Sequence, residues 1–560
     1  MKVRWSVVFP IAVVSAVILP IWAQDATPRM DTDLAAADQL YQSGKFSEAI
    51  GKYQAALKAD PKLVPAQAGL VRAYLRDEQI DAAFELAKTS LAAQPNSPQL
   101  LDMMGRAQYR LGLIPEAQTS YLAAQKLDPK LVDTYLGLAE LYHAALFRRR
   151  AYDEIMAAHQ LAPDDPDVQL AWLGMLPRSE RVKALEAYLT KPEPDNPKEK
   201  AHLNSWLEYL KATADQPLHT CHLANQVDRT EIPMQIFMRD PKHIAGYGLQ
   251  VKVNDKTQRL LLDTGAGGIV IERKAAEKAG VKRISAVQFG GIGSKGSRDA
   301  YLGLADDIHI GDLEFKDCVI RVSETPLNMD EDGVIGTDVF ASYIVDVDIP
   351  ADTLRLLPLP KRPDETDVKV SLATEEEAAA DAARQPESAT DQKSTVAEKA
   401  SPPVKPRPPK DRYIPPEMAN WARVYRIGHT LLIPTHVNDS KSMLFILDTG
   451  SFSNSMSTRA AKEVTKVRTE DRWRVKGFSG EVDKVYSADK AVLQFGNLRQ
   501  PNQDIITFDL SGISRSLGTE VSGLVGYPTF RQVEMKIDYR DGLVDFTYDP
   551  SKLPANLRPR

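Results

Sequence analysis

The sequence contains few cysteines and no excess of basic residues. Its 560 residues include only two cysteines, Cys221 and Cys318, which cannot form a disulfide framework and do not match the spacing of a metal-binding pair. The sequence is compatible with a single disulfide between them and with two free thiols. Lysine and arginine number 70 against 76 acidic residues, a net charge of −6, so no overall basic field exists to hold nucleic acid.

Several catalytic motifs are also missing. The chain has no HExxH, GxSxG or phosphate-loop lysine motif, which removes support for a metallopeptidase, an α/β-hydrolase or an NTPase. Residues 291–296 match the pattern GxGxxG, but no helical period follows them, so we do not interpret them as a nucleotide loop. His219 and His222 lie beside Cys221 without a second ligand pair nearby. We expect neither a cofactor nor a metal ion.

Only one long apolar run is present. Lys2 and Arg4 precede this run, which covers residues 7–23 and ends at the small residue Ala23. A charged start, an apolar middle and a small residue at the exit are typical of a signal peptide, which we place at residues 1–23. Because the run is shorter than the about 20 apolar residues of a spanning helix, an uncleaved membrane anchor is the less favoured alternative. In either case we expect the rest of the chain to be exported, to the periplasm or outside the cell.

The next part of the chain is rich in alanine and leucine and repeats at a constant interval. Prolines and alanines recur at this interval: Pro61, Pro95, Pro129 and Pro163, and Ala49, Ala83, Ala117 and Ala151. The interval resembles the tetratricopeptide repeat, a helix-turn-helix unit of about 34 residues in which proline ends the second helix and small residues let helices approach. We predict four units over about residues 30–165, within a helical domain at residues 31–213. The resemblance implies a docking surface for a peptide or partner protein, and an inert helical spacer is the alternative.

Further along, an Asp-Thr-Gly triplet twice follows an apolar strand. The two triplets are Asp263, Thr264, Gly265 and Asp448, Thr449, Gly450. An apolar-apolar-Gly segment follows each triplet, and its last glycine, Gly336 or Gly526, lies at a similar distance along the chain from the respective aspartate. Two final strands follow each segment, so the second half of the chain contains two copies of one unit.

This pattern resembles the retropepsin-like aspartic peptidases, of the pepsin and retroviral types. In that family two such lobes pair, either as a homodimer or within one chain. The resemblance implies a multidomain protein in which an all-α tetratricopeptide-like solenoid precedes two all-β lobes, at residues 225–357 and 420–550. It also implies that Asp263 and Asp448 are the catalytic pair, whether the lobes meet within one chain or between chains.

The chemistry of such a pair explains why the residue types matter. Two carboxyl groups a few ångströms apart cannot both ionise readily, so they share one proton. The ionised member can take a proton from water while the protonated member donates to the scissile carbonyl. By resemblance, Thr264 and Thr449 would lock the two loops through their hydroxyl groups. Gly265 and Gly450 would let backbone N–H groups approach the carboxylates.

Two further features bear on access to this site and on how the lobes are joined. Glycine-rich stretches at residues 289–296 and 476–481 follow the two aspartates and are predicted to be flaps over a bound peptide, with plain surface turns as the alternative. Residues 361–412 contain no Phe, Trp or Tyr and hold two proline pairs and an alanine run. We therefore predict a disordered Pro/Ala/Glu-rich linker over residues 358–415.

By this resemblance the chain is expected to be an exported aspartic endopeptidase. Its substrate would be a protein or peptide, and its repeats would recruit that substrate or tether the enzyme to a partner protein. The alternative is a non-catalytic binding or assembly scaffold that grips an extended peptide as an added strand. Contact with a membrane is expected only if the N-terminal segment stays uncleaved.

Overall fold

A computed structural model describes most of the chain. The described ranges are 26–190, 197–212, 221–225, 227–240, 243–293, 298–327, 329–363, 409–470, 473–477 and 480–552. The predicted signal peptide at residues 1–23 and the central part of the predicted linker lie outside these ranges. Across the described residues, no helix combines the length and the apolar character needed to cross a bilayer.

Within the described residues, the first part of the chain is a series of eleven α-helices, each packed against the next. Their bounds are α1 Ala26–Gln42, α2 Phe46–Ala59, α3 Val64–Arg76, α4 Ile80–Ala93, α5 Pro98–Arg110, α6 Ile114–Leu127, α7 Val132–Ala144, α8 Arg148–Leu161, α9 Pro166–Met175, α10 Arg178–Leu189 and α11 Pro197–Ala212. This arrangement confirms the predicted all-α solenoid.

Proline and glycine place the turns of the solenoid. Helices α2, α4, α6 and α8 each end two residues before one of the periodic prolines, because proline has no N–H to continue the helical bonding. Gly44 and Gly112 lie in the turns that follow α1 and α5, and their φ angles are 73° and 72°. Glycine adopts this left-handed conformation without the steric penalty that a side chain brings.

Aromatic rings of one helix pack on glycines of its neighbours. The Tyr121 ring on α6 lies between Gly105 on α5 and Gly137 on α7, where an added Cβ would come within 2.7 and 2.6 Å of the ring. Tyr53 on α2 packs on Gly69 of α3 in the same way, at 2.4 Å. The small residues that the repeat pattern placed in these helices therefore make room for large buried rings.

The lobe that contains Asp263, here called lobe one, is built mainly of strands. They are β1 His222–Leu223, β2 Thr230–Pro233, β3 Gln235–Asp240, β4 His243–Val253, β5 Lys256–Asp263, β6 Ile269–Glu272, β7 Lys282–Phe289, β8 Arg298–Ile310, β9 Leu313–Ser323, β10 Gly333–Gly336, β11 Tyr343–Asp348 and β12 Thr353–Pro358. Helix α12 Arg273–Lys278 follows β6. The main sheet has the order β1-β9-β6-β10-β5-β4-β8-β7, with β3 paired to β4.

The lobe that contains Asp448, here called lobe two, repeats this plan. Its strands are β13 Ala422–Arg423, β14 Tyr425–Ile427, β15 Thr430–Val437, β16 Ser442–Leu447, β17 Ser455–Ser457, β18 Val467–Thr469, β19 Lys476–Gly477, β20 Gly480–Glu481, β21 Tyr486–Phe495, β22 Leu498–Phe508, β23 Gly523–Val525, β24 Glu534–Asp538 and β25 Leu543–Thr547. Its helices are α13 Thr458–Val464, α14 Ser511–Leu517 and α15 Tyr527–Phe530. The main sheet has the order β14-β15-β16-β23-β17-β22-β21-β18.

Both lobes contribute strands to one further sheet. Its order is β13-β25-β24-β11-β12-β2, so β11 of lobe one pairs with β24 of lobe two. The pairing is antiparallel and sets Val345 opposite Ile537, both fully buried. The two lobes therefore pair within a single chain in this structure, an arrangement that the sequence left open. The predicted all-β lobes are confirmed.

The solenoid packs directly against lobe two. Tyr109 of the solenoid and Leu444 of lobe two belong to the same buried apolar cluster. The hydroxyl of Thr519 donates to the Tyr109 carbonyl at 2.6 Å, and the Glu520 N–H donates to the Arg110 carbonyl at 3.0 Å. The turn between α5 and α6 therefore packs directly against lobe two, so the solenoid and lobe two share an interface.

Two covalent or ionic connections complete the fold. Cys221 and Cys318 form a disulfide with a Cα–Cα distance of 3.8 Å, which decides between the bridge and the two free thiols that the sequence left open.

Arg362, near one end of the predicted linker, forms a buried ion pair with Asp541. At the other end, the Asp411 carboxylate accepts from the solenoid backbone. These contacts hold the described ends of the linker against the folded domains, where the sequence predicted disorder.

Candidate active site

Each aspartate triplet lies at the end of a buried strand, beside its apolar-apolar-Gly segment. Strand β5 ends at Asp263 and runs parallel to β10, which sets Gly336 opposite Asp263. In lobe two β16 runs parallel to β23, with Leu447 opposite Val525. Parallel strands buried on both faces require continuous apolar sequence, which is why both triplets follow apolar runs. The two loops therefore leave their sheets at matching points.

The threonines of the two triplets cross between the lobes. The Thr264 N–H donates to the Thr449 hydroxyl and the Thr449 N–H donates to the Thr264 hydroxyl, each at 3.0 Å. The Thr264 hydroxyl in turn donates to the Leu447 carbonyl at 2.7 Å, and the Thr449 hydroxyl donates to the Leu262 carbonyl at 3.1 Å. Each hydroxyl thus accepts one bond and donates another across the lobe boundary.

The two carboxyl groups meet where these loops approach. The Asp263 and Asp448 side chains come together at the boundary between the lobes. A Cβ on Gly265 would lie 3.0 Å from Asp448 Cγ, and a Cβ on Gly450 would lie 2.6 Å from Asp263 Cγ. Each glycine therefore leaves room for the carboxyl group of the opposite lobe. The Gly265 N–H also donates to Asp263 Oδ1 at 2.7 Å.

Burial determines how this pair holds its proton. Burial raises the pKa of Asp263, while the hydrogen bond from the Gly265 N–H opposes that increase. Burial raises the pKa of Asp448 well above its usual range, and the adjacent Asp263 charge adds to the increase. Carboxyl groups in direct contact titrate as one unit that keeps a single proton over a wide pH range. The stronger shift favours Asp448 as the protonated member.

The sequence interpretation missed a set of ionisable side chains beside the Asp263 loop. His429, in the turn between β14 and β15 of lobe two, lies against Gly267. Arg321 Nη1 donates to the Gly267 carbonyl at 2.7 Å. The Asp338 carboxylate accepts from the Gly268 N–H at 2.9 Å. These side chains come from distant parts of the sequence and share no motif, so no spacing indicated their proximity.

The predicted flaps are only partly described, because residues 294–297 and 478–479 lie outside the described ranges. The same holds for the GxGxxG stretch. In the described part, β19 pairs with β20 as a hairpin. A Cβ on Gly477 would lie 2.4 Å from the Ile292 carbonyl oxygen, so the two glycine-rich segments touch each other.

One cluster of potential metal ligands occurs in the described part of the chain. Ligand atoms of Asp307, His309 and Glu314 lie within 4.8 Å of one another. The Lys316 ammonium group is 2.9 Å from the Asp307 carboxylate and 2.6 Å from the Glu314 carboxylate. The Lys316 ammonium group therefore already pairs with both carboxylates at this position. Cys221, the cysteine of the short His/Cys stretch, is held in the disulfide.

Comparison with known families matches parts of this architecture. Residues 249–339 match the aspartyl protease family model, and residues 40–107 match a tetratricopeptide repeat model. The chain combines tetratricopeptide repeats with a retropepsin-like aspartyl protease fold. The protease match includes Asp263 but ends before lobe two. Asp448 is assigned to the same fold because its triplet ends a strand that runs parallel to an apolar-apolar-Gly strand, as in lobe one. No curated protein matches the sequence.

Solved structures resemble separate parts of the chain. A thermophilic TPR protein in Thermus thermophilus is 20% identical, with a TM-score of 0.28, over 32% of this chain and 98% of its own. An aspartic proteinase from Irpex lacteus is 11% identical, with a TM-score of 0.33, over 57% of this chain and 97% of its own. The first TPR of Spaghetti (RPAP3), bound to an HSP90 peptide, is 20% identical, with a TM-score of 0.19, over 20% of this chain and 90% of its own.

Proposed function

We propose that this chain is an exported aspartic endopeptidase that hydrolyses peptide bonds with a water molecule activated between Asp263 and Asp448. The observation that carries the proposal is that the two carboxyl groups meet within one chain, each packed against the glycine of the opposite triplet. The crossed threonine bonds support it, because they fix both loops in mirrored positions. A catalytic constellation requires such fixed geometry before substrate arrives.

In this mechanism Asp448 carries the shared proton and Asp263 is ionised. Asp263 takes a proton from water as the water oxygen bonds to the carbonyl carbon, and Asp448 donates its proton to the carbonyl oxygen. A tetrahedral diol results. Asp263 then gives its proton to the leaving nitrogen, Asp448 regains a proton from the diol, and the carbon–nitrogen bond breaks. The two carboxyl groups end in the states in which they began.

The proposal includes export of the mature chain. The disulfide between Cys221 and Cys318 supports it, since disulfides persist in oxidising compartments outside the cytosol. Cell fractionation with N-terminal sequencing tests this point. A mature chain that begins just after Ala23 in a soluble exported fraction is expected. A chain that retains Lys2 in the membrane fraction would indicate the anchor, and a chain confined to the cytosol would overturn export.

The proposal also gives the solenoid a role in docking a protein substrate. Helices α1, α3, α5 and α7 carry charged side chains at the interval of the repeat: Asp38, Arg72, Arg106 and Glu140. Arg106 is fixed by ion pairs to Asp102 and Asp133 at 3.0 and 2.8 Å. An ordered ladder of charges along successive repeats suits recognition of an extended polar segment.

The docking role is tested by comparing a protein substrate with a short peptide that carries the same cleavage sequence. Arg76, exposed on α3, lies one turn beyond Arg72. Charge reversal by Arg76→Glu is expected to raise KM for the protein substrate and leave KM for the peptide unchanged. Lys88→Glu on the exposed side of α4 is the matched control. Equal effects of both variants on both substrates would refute a docking role for this face.

The peptidase activity is tested by digestion of an unbiased peptide library across pH 3 to 8. Asp263→Asn and Asp448→Asn are each expected to lower kcat by roughly 10²- to 10⁴-fold, since each removes one acid–base partner. Asp545→Asn, a half-buried carboxyl on β25, serves as the control for general effects. Wild-type chain that is folded but cleaves nothing would leave the peptide-binding scaffold as the interpretation. If only one aspartate variant lost activity, the shared pair would be wrong.

A further inference from the structure

His429 of lobe two occupies space beside the catalytic loop of lobe one. A Cβ on Gly267 would lie 2.5 Å from His429 Nδ1 and 2.6 Å from His429 Cγ, so the imidazole fills the position where a side chain of residue 267 would stand. Gly267 is the fourth residue after Asp263. The fourth residue after Asp448 is Phe452, which is 49% exposed. The two loops therefore differ at this position, with a glycine against the imidazole in lobe one and a partly exposed phenylalanine in lobe two.

The backbone on both sides of this contact is held by charged groups. Arg321 Nη1 donates to the Gly267 carbonyl at 2.7 Å. Arg426 Nε donates to the Gly428 carbonyl, immediately before His429, at 2.9 Å. Asp338 Oδ1 accepts from the Gly268 N–H at 2.9 Å. The imidazole is thus placed by its supporting loops.

We propose that His429 is a positioning residue for the aspartate pair, whose imidazole supports the Asp263 loop across the lobe boundary and, when protonated, presents a positive charge to the Asp263 carboxylate. The part that concerns activity rests on the proposed peptidase function. The contact and its charge coupling are independent of that function, because they depend only on the fold.

The charges around the imidazole set the direction of its response to pH. Burial lowers the pKa of His429, the Asp338 and Asp263 carboxylates oppose that decrease, and the Arg321 and Arg426 guanidinium groups add to it. The ring is therefore neutral near pH 7 and gains a proton only in more acidic solution. Coupling between two sites is reciprocal, so the protonated ring lowers the pKa of Asp263. Asp263 consequently stays ionised to a lower pH than it would beside a neutral side chain.

The coupling is measured by NMR titration of the histidine ring nitrogens in the full chain. In Asp263→Asn the His429 signal is expected to titrate at lower pH than in the wild type, because a carboxylate that favours the protonated ring is gone. Asp448→Asn is the matched control, since it leaves the negative charge on Asp263. The NMR signal of His309, which is partly exposed in lobe one, serves as the reference for changes that do not involve the aspartate pair. A His429→Gln sample assigns the signal by its absence.

The effect on activity is measured from the pH dependence of kcat/KM. His429→Gln is expected to move the acid limb to higher pH, so that kcat/KM falls by a several-fold larger factor at the acid end than above pH 7. A loss of packing alone would lower kcat/KM equally at every pH. His429→Arg keeps a positive charge and is expected to preserve the acid limb. His143→Gln, at an exposed position on α7, is the control.

Two results would overturn the proposal. One is a His429 titration that shifts equally in Asp263→Asn and Asp448→Asn, or in neither. The other is an acid limb of His429→Gln that coincides with that of the wild type. If His429→Gln fails to fold, the titrations of the wild type and the aspartate variants still decide the coupling. If the wild type cleaves nothing, the proposed function fails, while the NMR comparison still accepts or rejects the contact.

Discussion

Thr264 and Thr449 each donate a backbone N–H to the hydroxyl group of the other, both at 3.0 Å. Both residues are buried, with 0% and 6% of their surface exposed. Because each hydroxyl also donates to a carbonyl of the opposite lobe, neither loop can shift without breaking bonds in both. The position of the two carboxyl groups therefore depends on a pair of side chains that carry no charge and need not touch substrate.

Removal of one of these hydroxyls tests this dependence. Thr449→Val keeps the shape of the side chain but leaves the Thr264 N–H and the Leu262 carbonyl buried without partners. We expect the free energy of unfolding to fall by about 2–4 kcal/mol and peptidase activity to be lost with it. Urea unfolding and a peptide assay measure the two effects. Thr435→Val is the control, because the buried Thr435 hydroxyl donates within its own strand, to the Ile433 carbonyl. Equal losses in both variants would contradict the prediction.

The contact between the solenoid and lobe two is tested at Gly112. A Cβ there would lie 3.3 Å from both the Glu520 carbonyl oxygen and Leu444 Cδ1, at a positive φ of 72°. Gly112→Ala is expected to speed hydrogen exchange in β16 of lobe two as well as in the solenoid. Gly44→Ala carries the same backbone strain at φ 73° in the first repeat and should affect that repeat alone. Identical exchange patterns would show that the interface does not couple the two domains.

The shared sheet is expected to weaken as pH rises, through Asp538. Burial, together with the charge of Asp541, raises the pKa of Asp538 to about 6 from its ordinary value of 3.8. The folded chain therefore holds a proton that the unfolded chain has released, and stability is fully present below about pH 4 and declines as pH rises through about 6. The decline from this one group is on the order of 2–3 kcal/mol.

Asp538→Asn measures that contribution. The variant should lose less stability than the wild type between pH 4 and pH 7 in urea unfolding, because its amide does not titrate. Asp545→Asn, on the adjacent strand β25, is the control and should follow the wild type. A variant curve that runs parallel to the wild type across this range would mean that Asp538 titrates as an ordinary carboxyl group.

The disulfide is expected to stabilise lobe one. It closes a loop with a sequence separation of 97 residues between Cys221 and Cys318 on β9. Replacing both cysteines by alanine should lower the free energy of unfolding of lobe one by about 2–5 kcal/mol. Hydrogen exchange in β9 measures the change, and intact mass before and after reduction verifies the bridge in the wild type. Full reactivity of both thiols in the unreduced native protein would show that no bridge forms.

Local patterns in the sequence were sufficient to predict the main elements. The periodic prolines mark where α2, α4, α6 and α8 end, because proline acts through its own backbone and needs no distant partner. The two Asp-Thr-Gly triplets lie at the ends of parallel strands, as the apolar runs before them indicate. Both features depend on residues that are close in the chain, so a single sequence displays them.

Contacts between distant segments were not predictable in this way. Leu444 and Tyr109 lie in one apolar cluster, yet nothing near either residue distinguishes it from an ordinary core position. In the sequence, Val345 and Ile537 belong to two separate strands, and only the structure shows that these strands, β11 and β24, pair. The described ends of the predicted linker are polar in composition, but the buried pair of Arg362 and Asp541 holds one of them in place.

The sequence by itself determined a helix-turn-helix repeat of constant period, two strand-borne aspartates and a single possible disulfide, because periodicity, motif and cysteine count are properties of the chain alone. Only the tertiary structure decided that the two aspartates meet within one chain and that His429 of lobe two packs against the Asp263 loop. The physical reason is that these relationships arise when strands from separate lobes pack and exclude water, which fixes both distances and proton affinities.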